Sequence, residues 1–128
     1  MSDSRKLITV RTETVKIGKY MCNFLMDKNN KVYVRESDFK RFGIDEKDFR
    51  HWITKHGEDY PKYTFESCYI KEHDRAVKVW DAKEVCAYIG SAGKIYYFPI
   101  LAYALYDIID AEERIKEKEN NSINEDGD

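Results

Sequence analysis

Three histidines, His51, His56 and His73, and the dipeptide Ser67-Cys68 are where this chain could carry out acid–base or nucleophilic chemistry. His51 and His56 are five residues apart, so they fall on different sides of a helix, and no nucleophile motif surrounds either one. Ser67-Cys68 lies in no nucleophile signature, and the six glycines form no phosphate-binding loop. The three cysteines, Cys22, Cys68 and Cys86, are an odd number without a Cys-x-x-Cys pair, which reads as reduced thiols rather than a disulfide frame or a zinc site. An enzyme is therefore not expected, and no cofactor or metal is implied.

A different chemistry lies in "VRESDFKRFGIDEKDFRHWITKHG", residues 34–57. Phe49, Trp52 and Ile53 recur at helical spacing, which leaves Lys47, Arg50, His51, Thr54 and Lys55 on the opposite face, with Arg41 on the helix before. Cationic and hydroxyl groups on a face not used by a core could meet phosphates and base edges of double-stranded DNA. An ordinary solvated face fits the same residues, because Asp45, Glu46 and Asp48 crowd the turn that usually enters a groove. A regulator protein is the other partner such a face could serve.

Those residues need a frame. At 128 residues with ten tyrosines, six phenylalanines and two tryptophans, the chain can build one core despite being 36% charged. Alternating runs on either side of Asp27-Lys28-Asn29-Asn30 read as an N-terminal hairpin. Glu36, Ser37 and Asp38 open a short helix stopped at Gly43, and Asp45 caps a second that ends at Gly57. "YPKYTFESCYIKEHDRAVKVW" reads as a second hairpin turning at His73-Asp74. Asp81 caps a helix ending at Gly90, a flexible "GSAGK" follows, and Pro99 opens a longer amphipathic helix. That helix carries Asp110/Arg114 and Glu112/Lys116 at the spacing of ion pairs. The expected fold is a small single α+β domain over residues 1–118: an N-terminal β-hairpin, a helix-turn-helix-like pair, a wing-like second hairpin and a C-terminal amphipathic helix. Residues 119–128 are expected to be a disordered acidic tail. With Tyr96, Tyr97, Tyr103 and Tyr106, the last helix also has apolar surface for a homodimer.

The charge of −2 hides a division along the chain. Residues 1–106 hold 19 Lys and Arg against 15 Asp and Glu, a net +4; residues 107–128 hold 3 against 9, a net −6. A mildly basic body is compatible with phosphates, and the acidic tail with a basic protein surface. The longest apolar run, residues 95–106, is broken by Pro99 and is too short to span a bilayer, so a cytoplasmic protein without a membrane partner is expected.

The order of these elements resembles the N-terminal domain of AntA-type phage antirepressors over about half of the chain. The matching positions are Phe39, Phe42-Gly43-Ile44, Phe49, Trp52-Ile53, Tyr60, Tyr63 and Ala82-Lys83-Glu84. After the Ala-Lys-Glu helix that family tends to carry an arginine-rich segment, where this chain reads "GSAGKIYYFPI". The resemblance implies a phage or prophage origin, action in the host cytoplasm, and interference with a regulator by binding DNA or protein. The alternative is a phage-encoded inhibitor that blocks a host protein without touching DNA.

Overall fold

The computed structural model describes residues 7–92 and 98–126, with side chains up to residue 119. Strands β1 (Arg11–Ile17), β2 (Tyr20–Met26), β3 (Val32–Arg35), β4 (Cys68–Glu72) and β5 (Arg75–Asp81) form one antiparallel sheet in the order β1-β2-β3-β5-β4. Helices α1 (Glu46–His56), α2 (Ala82–Ser91) and α3 (Phe98–Asp126) complete the α+β domain.

Local chemistry explains the turns. The Asp27 carboxylate accepts from the backbone N–H groups of Asn29 and Lys31, both at 2.9 Å, and Asn30 takes a φ of 62°, which joins β2 to β3 at the expected turn. His73 and Asp74 take φ of 50° and 62° between β4 and β5, the paired left-handed residues of a type I′ hairpin. A further hairpin, β1 to β2, turns at Gly18, whose φ is 60°.

The second hairpin does not stand apart as a wing. β5 pairs with β3, Val34 opposite Trp80, because Val79 and Trp80 are both buried and point to opposite faces. A strand covered on both faces needs a neighbour on each edge. Cys22, Phe24, Met26, Val32, Val34 and Trp80 face the helices. Leu25, Tyr33, Ile70 and Val79 face the other way, covered by Ile8 and Val10. Residues 7–10 make one bridge: Leu7 pairs with Tyr69, and the Ile8 N–H donates to the Tyr69 carbonyl at 2.9 Å. On this far face Arg35 Nε donates to Glu72 Oε1 at 2.7 Å, tying β3 to β4 across β5.

The first expected helix is a 3-10 turn, Glu36–Phe42, closed by Gly43 at a φ of 73°. Asp45 caps α1 by accepting from the N–H groups of Lys47 and Asp48, and Asp81 caps α2 by accepting from that of Lys83. Of the "GSAGK" segment, Gly93 and Lys94 lie outside the described residues, as do Tyr96 and Tyr97.

α3 differs from expectation in length. It runs to Asp126, through most of the stretch expected to be disordered. Packing of Phe98, Leu101, Ala102, Leu105 and Ile109 anchors its first turns. Extension then costs little per residue, since neither glycine nor proline occurs from Ile100 to Asp126. Asp110/Arg114 and Glu112/Lys116 have the right spacing, yet none of the ion pairs among the described residues joins them. No described helix is long and apolar enough to cross a membrane.

Candidate functional site

α1 is held by its apolar side. Phe49 and Trp52 are buried, Phe49 packing edge-on against Phe39 and Trp80, and Trp52 against Phe65 and Tyr88. The Trp52 indole N–H donates to Ser91 Oγ at 3.2 Å, which fastens α1 to the end of α2. Lys47, Arg50, His51, Thr54 and Lys55 are all exposed and share the outer face, within roughly 140° of arc.

The structure divides these residues. Arg50 is bound, its Nη2 lying 2.9 Å from Glu46 and 3.3 Å from Glu36, and Glu36 also accepts from the Trp80 indole at 3.0 Å. Thr54 donates to the Arg50 carbonyl at 3.1 Å. Lys47, His51 and Lys55 make no ion pair among the described residues. Arg41 belongs to the 3-10 turn rather than to α1. It donates to the Met21 carbonyl at 3.1 Å, lies 3.7 Å from Asp38, and stands over the Phe42 ring.

Beside this face is a cleft of about 510 Å³ lined by Arg50, Ile53, Phe65, Glu66, Ser67, Lys78 and Trp80. Sequence reasoning weighed Ser67 only as a nucleophile beside Cys68 and did not single out Lys78, because both reach α1 only through the β3–β5 pairing. The alternation of β5 was the one available signal, since it places Lys78 on the same side as Trp80.

The cysteines and histidines do not converge. Burial pushes the Cys22 and Cys86 thiols up to about 12, which keeps both protonated. Cys68 packs with the far-face cluster, and His56 lies 3.5 Å from Asp59. Among the described residues no group of three or more His, Cys, Asp or Glu could hold a metal ion. No family model, curated protein or solved structure matches the chain.

Proposed function

We propose that the chain is a regulatory protein of antirepressor character, encoded by a phage or prophage and acting in the host cytoplasm, that works by binding through the outer face of α1, with duplex DNA as its target. One observation carries this reading: α1 commits its apolar side to the core and leaves Lys47, His51 and Lys55 exposed and without ion pairs among the described residues. A helix anchored in this way presents its cations at fixed spacing, as docking on a phosphate backbone requires. The test is titration of duplex DNA at several salt concentrations. Binding through phosphates weakens with a log–log slope of about −0.9 per phosphate neutralised, and Lys47→Ala with Lys55→Ala reduces that slope. A flat salt response, or no binding at low salt, rejects the reading.

A second reading is favoured by the state of the arginines. Arg41 and Arg50 already serve carbonyl and carboxylate groups of the chain itself, which subtracts two cations from any phosphate-binding surface. A protein partner needs fewer free cations, so an inhibitor that occupies a host protein is the competing function. Capture of a host protein that the Lys47/Lys55 variant releases, with no duplex binding, supports it.

A further inference from the structure

α3 is longer than the body requires. Among the described side chains those buried, Phe98, Leu101, Ala102, Leu105 and Ile109, belong to the first half, and the helix continues 17 residues past Ile109 to Asp126, about 25 Å at 1.5 Å per residue. Turned roughly 100° around the axis from the buried face is a second apolar stripe. Ile108 and Ile115 are 51% and 57% exposed and seven residues apart. Ala104, half-buried, and Ala111, exposed, are also seven apart and interleave with them. The resulting 4-3-4 spacing is the seam of a coiled coil.

The charges beside the seam indicate what covers it. Asp107 and Arg114 each precede a seam isoleucine by one residue, both are exposed, and neither has an ion pair among the described residues. We propose that α3 pairs antiparallel with α3 of a second copy of this chain, about a two-fold axis between Ile109 and Asp110. That register sets Ile108 over Ala111 of the second copy and Ile115 over its Ala104, with the same two layers repeated by symmetry. Every layer then matches a branched side chain to a small one, and Asp107 meets Arg114 of the other copy twice. A parallel pair would stack isoleucine on isoleucine and alanine on alanine, and would set Asp107 beside Glu112 of the other copy, like against like. The self-complementary arrangement is the antiparallel one, and it is independent of what α1 binds.

The seam from Ala104 to Ile115 is three turns, about 17 Å, which is short, so the dimer is a reversible one. Sedimentation of the full chain over a concentration series should show a monomer–dimer equilibrium. Ile108→Glu with Ile115→Glu should leave a monomer of unchanged circular dichroism, because both side chains are solvent-facing. Asp107→Arg decides the direction: it weakens the antiparallel dimer at least tenfold by opposing Arg114, and the double exchange Asp107→Arg with Arg114→Asp restores it. A chain that stays monomeric at all concentrations, or an Asp107→Arg variant that dimerises more tightly, overturns the proposal.

Discussion

The backbone N–H of Phe65 donates to Oε2 of Glu84 at 3.2 Å, and Phe65 does so from a φ of 51°, in the left-handed region. A bulky residue held there stores on the order of 1–3 kcal/mol of strain, and the bond to Glu84 is one of the contacts that hold it. Glu84 is itself buried, 3% exposed, and its Oε1 is without a hydrogen-bond partner among the described residues. Burial first, and the nearby Asp81 second, push its carboxyl up to about 7.

This sets a pH dependence. In the unfolded chain Glu84 ionises near 4.5, so below that value it is protonated in both states and its stabilising contribution is complete. As pH rises toward 7 only the unfolded chain gains by ionising, and the contribution is lost, by on the order of 3 kcal/mol. Glu72, held below the ordinary carboxylate range by its bond to Arg35, acts in the opposite sense but only in acid. Denaturant melts at pH 5.5 and pH 8 should therefore show higher stability at pH 5.5, and Glu84→Gln should flatten the difference. An equal slope in the variant would remove Glu84 as its source.

Trp52 is the second test of the packing. It is 8% exposed and contacts Tyr60, Phe65 and Tyr88. Trp52→Ala should cost about 3–5 kcal/mol through lost burial and a cavity. Trp52→Phe keeps most of the packing and loses the hydrogen bond to Ser91, so it should cost less. A parental melting temperature for Trp52→Ala would contradict the burial described above.

Thiol labelling reads the core directly. Cys22 is fully buried and Cys86 nearly so, and their thiols are raised to about 12, whereas Cys68 is half-buried at the far face. Iodoacetamide at pH 8 should modify Cys68 first in the native protein, and all three thiols after unfolding. Rapid native labelling of Cys22 or Cys86 would be inconsistent with this core.

The acidic end gives a functional prediction. Deleting residues 119–128 removes four acids and no bases, changing the net charge from −2 to +2. If α1 binds DNA, the truncated chain should bind duplex more tightly at low salt and lose most of that gain near physiological ionic strength, where the Debye length is about 8 Å. The cut lies beyond the Ala104–Ile115 seam, so dimerisation should be unchanged. Unaltered DNA affinity at low salt would mean that the tail does not reach the binding face.

Much of the frame was legible because its determinants are local. The Asp27 turn, the His73-Asp74 turn, the Asp45 and Asp81 caps, and the Phe49/Trp52 stripe each depend on residues within a turn or two of one another. The five residues assigned to the outer face of α1 do share it, since helical periodicity alone decides that. Their engagement was not legible: Glu36 captures Arg50 from 14 residues away and is itself positioned by Trp80, 44 residues away.

Spacing and composition carried the β2–β3 and β4–β5 hairpins, the capped helices, the residues on the outer face of α1, and the split between a basic body and an acidic end, but not the β1–β2 hairpin or the 3-10 form of residues 36–42. The tertiary structure alone decided that the two hairpins merge through β3 and β5, that residues 7–10 cross the far face, and that α3 outruns the body. It also decided that Glu84 lies buried beneath the strained Phe65. Burial on both faces of a strand, and the solvation of a carboxylate or a guanidinium, are set by neighbours distant in the chain, and no local pattern carries that information.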